Sequence, residues 1–540
     1  MTKKNEKKLR EEIPADEKIY SKKQNTGWNT TKTNTTKKKP TGKNITKKSS
    51  TGKRTKTDVE EGKKNIAKPG KKQAENTREI MFVTYLFVFI FLGMMGYICH
   101  FAVTNKQELI NNSYNTRQSM LLAQNRRGSI YARGGEVLAQ TTTAEDGTEV
   151  RVYPYENLFA HAVGYSTNGR MGVEALGNYY LINSNEPLSS KVADDMAGTK
   201  YAGDSIYTTL DVKLQQVAYD ARGVYKGAIV VTEPSTGRVL AMVSKPDFDP
   251  NQIDSIWEEL ISDEDSSVLL NRVTQGMYPP GSTFKIVTAL EYIRENPDSY
   301  QNYGYNCVGS FTKGTDKINC YHGTSHGSVN FTSSFAKSCN SSFANIGLSL
   351  DKTSFSATLS GLLFNSELPL KSTYSKSKVM VEEGMADADM MQVSIGQGTT
   401  QISPMHLNMI TCAIANGGRL MKPYIVDRVE NSEGSVIKQF SQSDYGSLMT
   451  KEEAKALTEL MEEVVKTGTG RKLSGLSYTA AGKTGSAEYN SVKGDSHAWF
   501  TGFAPADDPQ ICVTIIVEGA GSGGDFAVPV AKRIFDAYFE

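Results

Sequence analysis

The sequence predicts an α+β protein: an antiparallel sheet with helices, its strands drawn from distant parts of the chain, behind a single N-terminal membrane helix. Three observations carry this reading. Residues 80–103 form an apolar run without a formal charge, long enough at ~20 residues to cross a bilayer. Strand-like segments 227–233 and 238–243 flank the turn Pro234-Ser235-Thr236-Gly237, and two more strand-like runs, 498–503 and 511–517, lie near the C-terminus. Helical patterns fill the middle, so a sheet completed by both ends of one segment buries the apolar faces most simply.

Taken in order, the first 79 residues are rich in Lys, Thr and Asn and carry about +14 of charge. The whole 540-residue chain has a net charge of only +2, so the remainder is acidic. With so little apolar content this opening stretch cannot offset its ordering entropy, and it is expected to be a disordered tail. Lys71, Lys72 and Arg78 crowd the N-terminal flank of the apolar run, which places the tail in the cytoplasm and the rest outside the membrane. The run is long for a cleaved signal and lacks a small-x-small cleavage site, so an anchor is expected. Nothing in the tail resembles a folded nucleic-acid module. A solvated segment beside anionic lipid headgroups accounts for its charge, and no nucleic-acid partner is expected.

Residues 104–205 read as a modest α+β juxtamembrane unit. Residues 125–139 alternate around Gly134-Gly135 as a hairpin, and Arg151-Val152-Tyr153-Pro154 follows without chemistry of its own. Residues 206–540 form the second unit. A helix over 212–221 leads into the first hairpin. Another starts at or just after Ser282, and a third is capped by Ser403-Pro404 and ended by Asn416-Gly417-Gly418. A last helix is expected over 529–539, with Pro529 in its first turn.

Three short motifs carry the chemistry: Ser282-Thr283-Phe284-Lys285, Ser338-Cys339-Asn340 and Lys483-Thr484-Gly485 followed by Ser486. In that order they form the S-x-x-K, S-x-N and K-T-G set of penicillin-interacting serine enzymes. Each is weak alone. S-x-x-K recurs at Ser50, Ser310, Ser334, Ser375 and Ser435, S-x-N at Ser113, Ser166 and Ser328, and K-T-G at Lys466. Context separates them. Lys466-Thr467-Gly468 follows a helical run and reads as a helix end, whereas Lys483 lies between a glycine turn and strands. Pro279-Pro280-Gly281 forces a turn before Ser282, putting its hydroxyl at the positive end of a helix. Lys285 stands one turn on, on the same face; burial and a nearby cation such as Lys483 would favour its neutral form. A serine cap with a solvated lysine, or a structural S-x-N turn, is the blander reading, and the ordered set outweighs it. Ser338 can relay a proton and Asn340 can hold a substrate amide. Lys483 and Thr484 suit a peptide carboxylate, and Gly485 leaves room for an extended substrate. The N–H groups of Ser282 and Ser486 are the natural oxyanion donors.

From about residue 125 to its end the chain resembles a class B penicillin-binding protein of the compact PbpA-type branch. Gly396-Gln397-Gly398, Ala415-Asn416-Gly417-Gly418 and Trp499-Phe500-Thr501-Gly502-Phe503 support the likeness beside the three motifs. The resemblance implies a serine β-lactamase/transpeptidase-like fold and a D,D-transpeptidase acting on peptidoglycan stem peptides ending in D-Ala-D-Ala. Ser282, Lys285, Ser338, Asn340 and Lys483 would be catalytic, and Thr484, Gly485 and Ser486 would bind substrate. It implies acylation of Ser282 by β-lactams, no cofactor, no metal, and a partner glycan polymerase of the SEDS type. Ala132 stands where the family usually has Asp, and Ser486 where Thr is more usual. A membrane β-lactam sensor or scaffold, and a D,D-carboxypeptidase or β-lactamase, are the competing readings.

Six cysteines are present. Cys99 lies in the membrane run, and Cys412 and Cys512 sit in apolar segments as buried thiols. Cys307 and Cys320 bracket a polar loop, and a disulfide between them is left open because spacing alone does not decide it. His322 and His326 lie close by, but with no spacing of a known zinc motif.

Overall fold

The computed structural model describes residues 71–104, 117–223, 225–489 and 496–540. Residues 1–70 of the expected tail lie outside the described residues. Helix α1 (Lys71–Thr104) begins inside the stretch expected to be disordered. Pro69-Gly70 is the last breaker before it, and the residues that follow run without interruption into the apolar segment. Within α1, Arg78–Phe101 is a stretch of 24 residues with a mean hydropathy of 2.1. At 1.5 Å per residue it extends about 36 Å, against a hydrocarbon thickness of ~30 Å.

The first antiparallel strands are β1 (Ile130–Tyr131), β2 (Val137–Thr143) and β3 (Glu149–Val152), each antiparallel to its neighbour. The β1–β2 connection is the hairpin read from Gly134-Gly135. Ala132 is fully buried, and its N–H donates to the Glu136 carbonyl across the turn. Helix α2 (Gly172–Leu176) and strand β4 (Ser205–Thr208) follow, β4 lying parallel to β1.

Helix α3 (Val212–Arg222) is capped by Asp211, whose side chain accepts from the Leu214 N–H. It leads into β5 (Gly227–Thr232) and β6 (Val239–Lys245), the hairpin expected from the sequence, with Ile229 opposite Val243. A single 3₁₀ turn, Gly281–Phe284, runs into α4 (Lys285–Glu295). A small excursion of four strands follows: β7 (Gly304–Cys307), β8 (Ser310–Lys313), β9 (Asp316–Asn319) and β10 (Gly327–Asn330). Strands β8 and β9 pair as a hairpin, and β7 pairs with β10. Helices α5 (Phe331–Ala336) and α6 (Asn340–Ser349) come next. Helix α7 (Pro404–Ala415) is capped as expected, the Ser403 hydroxyl accepting from the His406 N–H with proline at the first turn.

The chain then returns to the sheet of β1–β4. Strands β11 (Val426–Glu430) and β12 (Val436–Gln439) extend it beyond β4, giving the order β12-β11-β4-β1-β2-β3. Helix α8 (Lys451–Lys466) carries a Thr450–Glu453 capping box. After it, the N–H groups of Thr467 and Gly468 both donate to the Glu463 carbonyl, the helix end that the second K-T-G was read as.

Strands β13 (Ala481–Glu488), β14 (Ser496–Ala504) and β15 (Ile511–Val517) complete a five-stranded sheet with the order β13-β14-β15-β5-β6. All its pairs are antiparallel. Along β5 the side chains alternate between two cores. Ile229 and Val231 pack with Leu214 of α3, while Val230 shares a core with Leu407 and Ile410 of α7. With both faces covered, β5, β6 and β15 are near-continuous apolar runs.

The last helix, α9 (Gly523–Phe539), corrects one expectation: it starts six residues before Pro529, which lies inside it. The two leading glycines look like a loop. Yet a Cβ at Gly523 would stand 2.3 Å from the Trp499 carbonyl oxygen and 2.4 Å from that of Gly485. Glycine is there because the helix end presses on strands β13 and β14, and packing overrides its poor helix propensity. Ala527, Ile534 and Phe535 of α9 then join the core shared with α3.

Candidate active site

The Ser282 turn is built for close approach. Gly281 has φ +54°, a conformation glycine adopts without strain, and its N–H donates to the Gly396 carbonyl at 2.8 Å. The Thr283 hydroxyl donates to the Pro280 carbonyl at 2.8 Å. From the other side, the Trp499 indole N–H donates to the Pro279 carbonyl at 3.1 Å. A Cβ at Gly485 would lie 3.0 Å from both the Pro280 oxygen and a Thr283 methyl carbon. The missing side chain at Gly485 therefore lets strand β13 seat against the serine turn.

Lys285 opens α4 and is fully buried. Its Nζ lies 2.9 Å from Ser282 Oγ, 2.8 Å from the Ser338 carbonyl oxygen, 3.2 Å from Ser338 Oγ and 2.7 Å from Asn340 Oδ1. Burial pulls its pKa down to about 7, so near neutrality part of the population is a free amine able to accept the serine proton. The Asn340 side-chain oxygen points at this lysine, and its amide nitrogen donates to the Asn319 carbonyl at 3.0 Å.

Ser338 occupies the tight link between α5 and α6 with φ +56°. A non-glycine residue held in that region carries backbone strain of order 1–3 kcal/mol. The conformation aims its Oγ between two lysine amines: Lys285 at 3.2 Å and Lys483 at 2.9 Å. Lys483, on β13, is also fully buried and donates to the Thr484 carbonyl at 3.0 Å. Burial first, and then the charge of Lys285, hold Lys483 well below its ordinary value. Serine, lysine, serine and lysine thus form one hydrogen-bonded array from Ser282 to Lys483, along which a proton can pass.

Strand β13 is an edge of the five-stranded sheet, paired with β14 alone. Thr484 shares a hydrogen bond with the Thr469 hydroxyl, and Ser486 Oγ accepts from the Gly523 N–H at 3.3 Å. All eight residues singled out from the sequence therefore come together on the serine turn, the α5–α6 link and this strand.

The sequence reading missed the aromatic floor. Lys285 Nζ lies 5.5 Å from the centre of the Phe343 ring, and Lys483 Nζ 5.6 Å from that of Phe335. These rings give the two amines a weakly attractive surface without a countercharge. The signal available was position: Phe335 stands three residues before Ser338, and Phe343 three after Asn340.

The family profile of the penicillin binding protein transpeptidase domain matches residues 227–536, and that of the penicillin binding protein A dimerisation domain matches residues 127–206. The peptidoglycan D,D-transpeptidase PbpA of Mycolicibacterium smegmatis is 31% identical over 442 residues, covering 76% of this chain and 88% of that protein. The peptidoglycan D,D-transpeptidase MrdA of Acinetobacter baumannii is 30% identical over 454 residues, covering 72% of this chain and 65% of its own length. Among solved structures, the imipenem acyl-enzyme complex of penicillin-binding protein A from M. tuberculosis superposes with a TM-score of 0.70 at 27% identity. It covers 77% of this chain and 99% of its own. The chain belongs to the penicillin-binding protein transpeptidase family.

Proposed function

We propose that this protein is a membrane-anchored serine D,D-transpeptidase that cross-links peptidoglycan stem peptides through an acyl-enzyme on Ser282. The observation that carries the reading is the array Ser282–Lys285–Ser338–Lys483, with both lysines buried among neutral oxygens. Ser282 Oγ attacks the penultimate carbonyl carbon of a D-Ala-D-Ala stem while neutral Lys285 takes its proton. The oxyanion forms against the N–H groups of Ser282 and Ser486. As the peptide C–N bond breaks, a proton delivered through Ser338 leaves with the terminal D-Ala. An amine from a neighbouring stem then attacks the ester carbonyl and gives up a proton to Lys285, which returns it to Ser282 Oγ as the C–O bond breaks, so that one peptide bond has replaced another. Asn340 orients Lys285 and the substrate amide, and Lys483 with Thr484 receives the donor carboxylate. Gly485 and Ser486 supply the strand edge along which the peptide lies.

β-Lactams acylate the same serine in this reading, which the acyl-enzyme structures of the M. tuberculosis homologue support. Residues 80–103 anchor the chain, with the basic tail of residues 1–79 in the cytoplasm. The juxtamembrane unit of residues 104–205 and the penicillin-binding unit of residues 206–540 stand outside. The basic flank of the apolar run supports this orientation. Glycan strands come from a partner polymerase of the SEDS type, since the segment ahead of the transpeptidase match belongs to a dimerisation family.

The test is intact-mass analysis of the full chain in detergent after treatment with labelled penicillin, beside Ser282→Ala, followed by product analysis with donor and acceptor stem peptides. A stable single adduct on the wild type alone, with a cross-linked product, is expected. Released acid without cross-link moves the protein to a carboxypeptidase or β-lactamase, and an adduct without turnover moves it to a sensor. No adduct on folded protein removes the acyl-enzyme altogether.

A further inference from the structure

Strand β13 meets one more side chain at its far end. Gln397 lies in the loop before α7, beside Gly396, whose carbonyl accepts the N–H of Gly281 on the serine turn. A Cβ at Gly396 would stand 2.1 Å from the Gly281 oxygen, so this loop is pressed against that turn. From there the Gln397 side-chain amide, oriented by its two partners, reaches the main chain of Glu488. Its nitrogen donates to the Glu488 carbonyl at 3.2 Å, and its oxygen accepts from the Glu488 N–H at 3.1 Å. One amide thus satisfies both edge groups of a strand residue, as a paired strand would. We propose that Gln397 closes the substrate-binding edge of β13 at Glu488 and so fixes the register of the donor peptide, a specificity-determining role that rests on the transpeptidase reading of Ser282.

Alternation along the strand decides what remains open. Residues of an antiparallel strand direct their main-chain groups to the two sides in turn. Strand β13 pairs with β14 in unbroken register, from Ala481 opposite Phe503 to Glu488 opposite Ser496. With Glu488 turned away from β14, Ser486 and Thr484 turn away as well, while Ala487, Gly485 and Lys483 face their β14 partners. The Thr484 carbonyl is already taken by Lys483 Nζ at 3.0 Å. Between Thr484 and Glu488, among the described residues, the edge therefore leaves Ser486 with both main-chain groups available.

One such residue is enough to set direction and register. In the proposed reaction the donor carboxylate sits at Lys483 and Thr484, so the peptide runs antiparallel to β13 with its upstream residues toward Glu488. The acyl D-Ala stands opposite Ser486, its carbonyl on the Ser486 N–H and its own N–H on the Ser486 carbonyl. The next pairing position is Glu488, two residues or about 6.8 Å along the strand. That position would take the stem residue two before the acyl D-Ala, but Gln397 holds both of its groups. The donor therefore leaves the edge after one paired residue. Longer pairing, which would reward other registers equally, finds no partner groups.

The test uses the full chain in detergent and two donors, one carrying a single residue ahead of D-Ala-D-Ala and one carrying three, with released D-Ala measured. On the wild type the two KM values are expected to agree within about twofold, since the added residues meet no open edge group. Gln397→Ala frees Glu488, and the KM ratio of short to long donor is expected to rise to about 10 while the kcat ratio stays at about 1. Gln397→Glu, whose carboxylate cannot donate to the Glu488 carbonyl, should raise the KM ratio in the same way. A merely structural role would slow both donors together and leave the ratio where it was. That result, on variants that still form the penicillin adduct, overturns the proposal. So does a wild-type ratio already as high as that expected of the variants, a result that needs no variant to fold. Absence of both adduct and D-Ala release on folded wild type removes the transpeptidase reading, and the proposal with it. A wild type that reacts, with variants that do not shift the ratio, removes the proposal alone.

Discussion

Two buried clusters of charge sit in this molecule and are solved in opposite ways. Beside the six-stranded sheet, Glu174 of α2 is fully buried between two guanidiniums, with Arg151 Nε 2.8 Å from one carboxylate oxygen and Arg127 Nε 2.8 Å from the other. The Tyr153 hydroxyl adds a third donor at 3.1 Å, and Arg127 also donates to Asn178 at 2.7 Å. Burial alone would raise the Glu174 pKa, but Arg127 and then Arg151 outweigh it and hold the value below the ordinary carboxylate range. Burial lowers Arg127 from its usual value, yet a guanidinium keeps its charge. In the active site, two lysines are equally buried, but their partners are hydroxyl, amide and carbonyl oxygens. There burial wins, and the amines are pushed toward neutrality. A carboxylate beside a buried cation makes a structural rivet; its absence makes a base. The same desolvation serves stability in one region and reactivity in the other.

The contrast is broken most sharply at Lys285. Lys285→Ala is expected to lower the second-order rate of penicillin acylation by ~10²–10⁴-fold, measured by quenched-flow mass analysis, while the melting temperature moves little. Lys285→Arg should not rescue the rate, because a guanidinium does not deprotonate. Glu174→Gln should do the reverse. Leaving two buried guanidiniums without their anion is expected to cost ~3–5 kcal/mol in denaturant unfolding, with the acylation rate of the folded fraction unchanged. If acylation fell as far as stability, the two clusters would not be separable.

Acidity sharpens the same comparison. Lys285 works as the free amine, so the acylation rate should rise with pH through about 7 and then level off. The depressed Glu174 pKa contributes stability that is fully present above the unfolded carboxylate value of about 4.3. That stability is lost as pH falls through the lower folded value. Activity should therefore disappear on acidification well before the fold does, read by acylation and circular dichroism on the same samples. The smallest effect is expected at Trp499→Phe. Losing the indole donor to the Pro279 carbonyl should cost ~1–3 kcal/mol, measured by thermal unfolding, with a modest loss of acylation from a looser serine turn.

Much of this was legible in the residues. The β5–β6 hairpin, the cap at Ser403 and the strands β14 and β15 follow from turn chemistry, a capping oxygen and apolar runs. These are properties of a few neighbouring residues, and so survive being read locally. The start of α9 was not legible, because its leading glycines answer to the backbone of two strands rather than to helix propensity. Nor was the return of β11 and β12 to the sheet of β1–β4, some 200 residues after β4: no local signal names a partner strand that distant.

The active site divides along the same line. By itself the sequence determined the identity and order of the serine, the two lysines and the asparagine, since each motif joins reactive side chains at fixed short spacing. Only the tertiary structure decided that Lys285 and Lys483 lose their water together around Ser338, that Phe335 and Phe343 floor them, and that three cysteines and His326 come together beside the Ser338 turn. Burial and the meeting of distant segments depend on how the whole chain packs, and no stretch of residues carries that information alone.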